Sequence, residues 1–269
     1  MTADQERALL AVAEVAADAA ADELRTRYGT NVRGVHTKST PTDLVSEADV
    51  SAERAIRAVL AEHRPDDAIL GEEGGATEGF GDGGADAIRW IVDPLDGTVN
   101  YLYGIPAFAV SVACEDAAGT IAGIVLDPIR NERFAATRSG PPTLNGEPIA
   151  AGDVTDLSMA MVATGFGYDA TVRARQADVL REILPRVRDI RRVGAAALDL
   201  VWCACGRFDA YYERGVHSWD IAAGALIAER AGLVVRELPE AGDLGDPYGL
   251  VAAPAAFVDE LYALASGRG

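Results

Sequence analysis

Cysteine is scarce in this chain. Cys114, Cys203 and Cys205 are too few, and odd in number, for a disulfide framework. Each stands in an apolar run and reads as a reduced, buried small hydrophobe. The pair Cys203 and Cys205 lacks the spacing and the His or Cys partners of a zinc site. Basic charge is also short: 24 Lys+Arg stand against 42 Asp+Glu, a formal net charge of −18. That balance excludes a protein that coats nucleic acid or an anionic membrane. It still permits phosphate binding, because a metal ion can reverse the sign inside one pocket. No stretch approaches the roughly 18 uncharged apolar residues of a membrane-spanning helix. The opening MTADQERALL has no basic segment leading into an apolar one, so no signal peptide and a cytoplasmic location are expected. Repeats and linkers are missing too. The 269 residues, 49% hydrophobic, are therefore expected to form one α/β domain. Its halves, about 1–150 and about 151–269, would share one site.

Periodicity gives the elements. Apolar residues at helical spacing predict a helix over 3–27, and a second over 46–63 with Ser46 as its cap. Glu47 and Asp49 fall in that second helix's first turn. A short buried strand, 68–70, runs into Gly71, and the Gly- and acid-rich stretch 74–87 reads as a mobile loop. Strands are expected at 88–92, 107–115, 121–126 and 132–137, an antiparallel meander, with a loop over 139–150. The second half alternates: strand 160–164, helix 171–188 ending near Pro185, an extended 190–193, helix 195–205 and strand 208–213. Helix 218–231 with its cap at Ser218, strands 233–236 and 249–252, and a last helix over 254–266 follow. Layered sheets and helices are the expected result.

Two acidic clusters follow short apolar strands, where α/β proteins gather functional groups. One is Glu72-Glu73; the other is Trp90 to Thr98, containing Asp93 and Asp96 on either side of Pro94. Carboxylates held so close repel unless a cation lies between them. Oxygen donors without His or Cys select a hard ion, Mg²⁺ first, with Mn²⁺ and Ca²⁺ as lesser candidates. Gly97-Thr98 then opens the segment Val99 to Leu102, whose first-turn N–H groups suit phosphate oxygens. Alone, DPLDGT is as readily a turn with solvated acids, and Asp220 after Trp219 a dipole-stabilising residue. Together with Glu213 and His217 they point to phosphoryl chemistry. Two metal ions roughly 3.5–4 Å apart can activate a water and neutralise the leaving oxygen. No Ser/His/Asp arrangement is evident, so direct transfer to water without a phosphoenzyme is expected.

These residues resemble the inositol monophosphatase family, within it the bacterial SuhB-type inositol-1-monophosphatases. The family pattern W-[IV]-[IV]-D-P-[IL]-D-G-T stands at Trp90 to Thr98, G-E-E at Gly71 to Glu73, and W-D-x-A-A-G at Trp219 to Gly224. Gly194 to Ala197, Asp209 to Glu213, and the element from Lys38-Ser39 through Asp43-Leu44-Val45 to Asp49 also fit, so the likeness spans roughly 5–265. It implies an αβαβα sandwich of the inositol monophosphatase and fructose-1,6-bisphosphatase type, and Mg²⁺-dependent, lithium-sensitive phosphomonoester hydrolysis using two to three ions. By the same resemblance, Glu72, Asp93 and the Leu95 carbonyl would hold the first metal. Asp93, Asp96 and Asp220 would hold the second, with Glu72 helping a third through water. Gly97 and Thr98 would receive the phosphate, and Thr98 paired with Asp49, together with Glu72, would orient the attacking water. Glu213 and the turn Gly194, Ala195 and Ala196 would contact inositol hydroxyls, alongside Asp96 and Asp220. A homodimer is implied as well.

Inositol 1-phosphate is the leading substrate, because Glu213 can accept from ring hydroxyls and would repel a second phosphate. Fructose 1,6-bisphosphate, histidinol phosphate and 3′-phosphoadenosine nucleotides are the alternatives within the family. A regulatory partner of transcription machinery is the alternative from another class. Lys38 either positions an acid near the metals or is an ordinary surface residue. His217 reads as structural or rim-lining, His36 and His63 as surface, Trp90 and Trp202 as core. Trp219 is expected to fix the helix start, and Arg191-Arg192 to attract anions or form surface ion pairs. One departure from the family stands out: Ser139 to Gly146 lacks the usual G-x-G-A string and has Pro141-Pro142 instead.

Overall fold

Thr2 and Gln5 cap the first helix reciprocally, Thr2 N–H donating to Gln5 Oε1 at 2.8 Å and Gln5 N–H to Thr2 Oγ1 at 3.3 Å. That helix, α1 (Ala3–Arg27), buries a stripe made mostly of alanine: Ala13, Ala16, Ala17, Ala20 and Ala21 between Leu9 and Leu24. Small side chains let α2 (Glu47–His63) pack closely beside it. This computed structural model describes residues 1–29, 36–37, 44–77, 87–240 and 247–267. Lys38, Ser39, Asp43 and the 78–86 part of the acidic stretch lie outside the described residues, as does the His36 side chain.

The backbone of 36–37 and 44–45 forms a small antiparallel pair, β1 (His36–Thr37) with β2 (Leu44–Val45). Helices α1 and α2 cover one face of an eight-stranded sheet. Its strands are β3 (Ala68–Gly71), β4 (Gly75–Thr77), β5 (Arg89–Asp96), β6 (Ala109–Asp116), β7 (Gly119–Asp127), β8 (Glu132–Thr137), β9 (Thr143–Leu144) and β10 (Glu147–Pro148). The order is β10-β9-β8-β7-β6-β5-β3-β4, antiparallel throughout except for the parallel pair β3 and β5. A short helix, α3 (Thr98–Leu102), follows β5.

The second half supplies β11 (Met161–Thr164), α4 (Ala170–Ile183), β12 (Asp189–Arg191), α5 (Ala196–Ala204), β13 (Ala210–Arg214), α6 (Ser218–Arg230), β14 (Val234–Leu238), β15 (Gly249–Ala253) and α7 (Val258–Ala265). Its five-stranded sheet runs β12-β11-β13-β15-β14. Helices α5 and α6 fill the space between the sheets. Leu198, Val201 and Ile227 belong to the core shared with the first sheet, Leu200, Cys203 and Ile221 to that shared with the second. Gly123 of β7 permits this approach, since a Cβ there would lie 2.8 Å from Ala223 Cα. Helices α4 and α7 close the far face through Ile183, Val258, Leu261 and Leu264. The layers read αβαβα, as the family resemblance implies.

Several local expectations are corrected. The 139–150 loop contains the hairpin β9–β10, turned by Asn145-Gly146 with φ of 52° and 85°. Part of the 74–87 loop is strand β4, and the final helix starts at Val258 rather than at 254. Helix α4 stops at Ile183 because Pro185 cannot continue an α-helix, leaving a 3₁₀ turn over Leu184–Arg186. Cys205 and Trp202 are half-buried rather than core, while His63 is exposed as expected. No helix among the described residues is long and apolar enough to cross a membrane.

Candidate active site

An odd spacing would send Asp93 and Asp96 to opposite faces of a regular strand. A bulge in β5 removes the conflict: Asp93 pairs with Ser111 and Asp96 with Ala109, so three steps on β5 meet two on β6. Pro94 occupies the irregular stretch, where a missing N–H disturbs no regular ladder. Asp93 Oδ1 accepts the Leu95 N–H at 2.9 Å and fixes the turn. Because β3 runs parallel to β5, with Gly71 opposite Val92, β3 ends level with the residue before Asp93. Glu72 N–H extends that ladder to Val92 O at 3.3 Å, so the Glu72 turn emerges beside Asp93.

Gly97, with φ of 93°, turns the chain from β5 into α3; a Cβ there would lie 3.1 Å from Ala107 O and 3.2 Å from Gly194 O. The first helical bond runs from Tyr101 N–H to Gly97 O at 3.0 Å, so the N–H of Thr98 precedes it. Thr98 Oγ1 stands 2.9 Å from Asp49 Oδ1 and 3.1 Å from Leu95 O. Its one proton faces two acceptors, which leaves the hydroxyl lone pairs to accept from elsewhere. Asp49 is itself anchored through Oδ2 by the Ser46 N–H at 2.9 Å and the Ser46 hydroxyl at 2.5 Å. Burial raises the Asp49 carboxyl, and these hydrogen bonds oppose the rise.

The second half reaches the same place. Gly194 adopts φ of 96°, and buried Asn100 donates to Val193 O at 2.9 Å and Ala107 O at 2.7 Å, pinning this turn to α3. The start of α5 then faces Asp96, whose oxygens accept the N–H groups of Ala196 at 3.2 Å and Ala197 at 2.7 Å. Asp220 lies in the first turn of α6, accepts the His217 N–H at 2.7 Å, and comes within hydrogen-bonding reach of Asp93. His217, not Ser218, is the cap residue of that helix. Ser111 Oγ donates to Trp219 O at 3.1 Å, tying the helix start to β6, and the Trp219 ring stacks on His217 at 4.7 Å.

Glu72, Asp93, Leu95, Asp96, Gly97, Thr98, Gly194, Ala195, Ala196, Glu213 and Asp220 all line one cavity of about 530 Å³. Asp49 stands behind Thr98, fully buried. Burial first, then Glu72, Asp96 and Asp220, push the Asp93 carboxyl well above the ordinary range. Burial and Asp220 raise Asp96 to about 8, against the pull of the two α5 N–H groups. Asp220 rises to about 7, chiefly by burial, with Glu72 and Glu213 adding to it. Glu213 also rises to about 7 by burial, opposed by the Tyr211 hydroxyl, 2.9 Å away, and by Arg192. Arg192 is a cavity residue the sequence left ambiguous, whereas Arg191 forms an ion pair with Asp189 at 2.6 Å.

Among the described residues, no three His, Cys, Asp or Glu side chains are gathered tightly enough to hold a metal ion as they stand. Asp93, Asp96 and Asp220 are each turned onto a backbone N–H. The chemistry of the donors nevertheless fits a hard divalent cation. They are oxygen ligands only, Asp93 and Asp96 buried with Glu72 and Asp220 half-buried beside them, and the charged neighbours raising Asp93 are all carboxylates. A larger cleft of about 880 Å³, along α6 between the two sheets, shares only Val216 and His217 with this cavity and contains none of these carboxylates.

Sequence reasoning missed Asn100, Glu53 and the wall formed by Phe166, Tyr168, Val172 and Pro247. For Glu53 the available signal was the pair of glycines, Gly71 and Gly74, bracketing the two acids.

Known proteins resemble this chain over most of its length. An inositol-1-monophosphatase SuhB of Mycobacterium tuberculosis is 45% identical over 242 residues, 88% of this chain and 83% of that protein. The Nus factor SuhB of Pseudomonas aeruginosa is 43% identical over 202 residues, 72% of each chain. The crystal structure of the extragenic suppressor protein suhB from Bartonella henselae superposes with a TM-score of 0.86 at 34% identity, covering 96% of this chain and 98% of that one. The defining pattern of the inositol monophosphatase family matches residues 5–268, and the chain belongs to that family.

Proposed function

We propose that the chain is a Mg²⁺-dependent phosphomonoesterase that releases phosphate from inositol 1-phosphate and related polyol phosphates by direct attack of water. The observation that carries this reading is the one cavity that Glu72, Asp93, Asp96, Asp220, Thr98 and Glu213 line together, with Asp49 bonded to Thr98 from behind. Glu72, Asp93, Asp96, Asp220 and the Leu95 carbonyl would hold Mg²⁺, or Mn²⁺ in its place, with Li⁺ as an inhibitor. When bound, such ions supply Lewis-acid activation of water and neutralise the departing oxygen. Thr98 and Asp49 orient the water: Asp49 takes the Thr98 proton in a hydrogen bond, and the Thr98 oxygen accepts from the nucleophile. The first-turn N–H groups of α3, beginning at Gly97 and Thr98, receive the phosphate. Glu213 and the Gly194 to Ala196 turn receive the polyol hydroxyls.

Inorganic phosphate release across inositol 1-phosphate, fructose 1,6-bisphosphate, histidinol phosphate and a 3′-phosphoadenosine nucleotide tests the assignment, inositol 1-phosphate giving the highest kcat/KM. A phosphorylated chain trapped by rapid quench would exclude direct transfer to water. Gly165 provides a finer test of the polyol end. A Cβ there would fall 2.0 to 2.2 Å from the Glu213 carboxylate, so Gly165→Ala must swing Glu213 aside. KM for inositol 1-phosphate is expected to rise roughly tenfold with kcat nearly unchanged. An unchanged KM would remove Glu213 from substrate recognition.

The name of the Pseudomonas aeruginosa relative supports a second reading, a binding partner of the transcription machinery. An Asp96→Asn chain without turnover that still restores cellular function would favour it. We also propose a homodimer, supported by exposed Tyr103, Ile105 and Ile129, and read directly by sedimentation equilibrium.

A further inference from the structure

Helix α2 carries three charged residues at four-residue intervals, Asp49, Glu53 and Arg57, which places them on one face. Asp49 receives the Thr98 hydroxyl. Glu53 is 2% exposed, and an acid buried in this way needs partners. It has them in the Glu72 turn: Oε2 accepts the Glu73 N–H at 2.7 Å, and Oε1 the Gly74 N–H at 2.8 Å. Arg57 closes the arrangement, its Nε donating to Glu53 Oε1 at 2.7 Å and its Nη2 to Gly75 O at 2.7 Å.

The glycines on either side of Glu72-Glu73 are explained by this carboxylate. A Cβ on Gly71 would lie 2.6 Å from Glu53 Oε1, and one on Gly74 only 2.5 Å from the same atom. Backbone and carboxylate are therefore in direct contact over the whole turn. Glu72 is held from two sides, by the β5 ladder through its own N–H and by α2 through the next two.

We propose that Glu53, braced by Arg57, is a positioning residue for the metal-binding carboxylate Glu72, and that α2 sets the Glu72 turn and the Thr98–Asp49 pair in one register. The inference rests on the phosphatase reading for the role of Glu72, though not for the clamp itself. Glu53 does not line the cavity; it acts through two backbone N–H groups, as outer partners of metal ligands commonly do.

Two readouts separate the parts. Hydrogen exchange of the Glu73 and Gly74 amides, followed in chelator, reports the clamp without any reaction. Glu53→Ala is expected to speed both by at least about tenfold, and Glu53→Gln, which keeps one acceptor oxygen, by less. Mg²⁺ titrations by calorimetry and by phosphate release are expected to shift roughly tenfold toward higher Mg²⁺ in Glu53→Ala, with kcat at saturating Mg²⁺ within about threefold. Arg57→Met, at a partly exposed position, should move both readouts the same way by a smaller factor, and serves if Glu53→Ala does not fold. Ile56→Val, buried on the same helix but away from the turn, controls for lost stability and should move neither. Unchanged exchange overturns the clamp. Faster exchange with an unmoved Mg²⁺ midpoint overturns the link to Glu72. If wild type neither binds Mg²⁺ nor releases phosphate, the phosphatase reading fails and takes the link with it, while exchange still decides the clamp.

Discussion

Replacing Asp93 by Asn lowers kcat/KM for inositol 1-phosphate by at least ~10³-fold and at the same time raises the melting temperature in chelator. The two effects have one cause. Asp93 is 1% exposed and held among Glu72, Asp96 and Asp220, so its charge is unfavourable to the fold. Asn keeps the shape and, through Oδ1, the hydrogen bond from the Leu95 N–H. It removes the charge that would face two metal ions. Relief of burial and like-charge repulsion is worth about 2 kcal/mol, or roughly 5 °C for a chain of this size. Function and stability are therefore set against each other at this residue. Steady-state phosphate release and scanning calorimetry check the two halves separately. Activity within about tenfold of wild type would place the chemistry elsewhere, and a lower melting temperature would show that the carboxylates do not repel.

The layers were legible because they follow from periodicity: alanine-rich helical stripes, an antiparallel meander, then alternating strands and helices. The acids were legible as neighbours in sequence, yet their geometry was not. D-P-L-D gives two carboxylates three residues apart, and only the one-residue bulge opposite Ala109 and Ser111 turns both toward one cavity. Glu53 was hidden for a different reason. On an amphipathic helix, Glu followed by Arg four residues later looks like an ordinary solvated pair. Its burial depends on the Glu72 turn, about twenty residues further on in sequence. Asn145-Gly146 carried a hairpin signal, but its strands are two residues each, too short for alternation to register. Arg191 and Arg192 split because successive residues of an extended segment point opposite ways, one to Asp189 and one to the cavity.

In chelator the protein is expected to lose stability as pH rises from about 5 to 8, and saturating Mg²⁺ should remove most of that loss. The sign follows from the direction of the shifts. Asp96 is raised to about 8 and Asp220 to about 7, so between the ordinary carboxylate value and these values the folded chain holds protons that the unfolded chain releases. Stability therefore falls through that window and levels once the folded groups have ionised. Because Asp93, Asp96 and Asp220 share their repulsion, their costs do not add. The drop is on the order of 4 kcal/mol, roughly 10 °C in Tm. Glu6, Asp116 and Glu132 are shifted downward by Ser139, Arg138 and Arg207, so their contribution is lost only in acid, below the ordinary carboxylate range. Asp199 supplies an internal control. It is raised well above its ordinary value by burial, and both its oxygens are buried without a hydrogen-bond partner. Neither Asp199 nor Glu213, which is raised to about 7, is among the proposed metal donors, so the slope remaining in Mg²⁺ should shrink in Asp199→Asn without vanishing. Calorimetric melts of both chains at pH 5 to 9, with chelator and with Mg²⁺, read all four arms. A flat profile in chelator would mean that the carboxylates are not buried together, and a slope indifferent to Mg²⁺ that the ion does not bind among them.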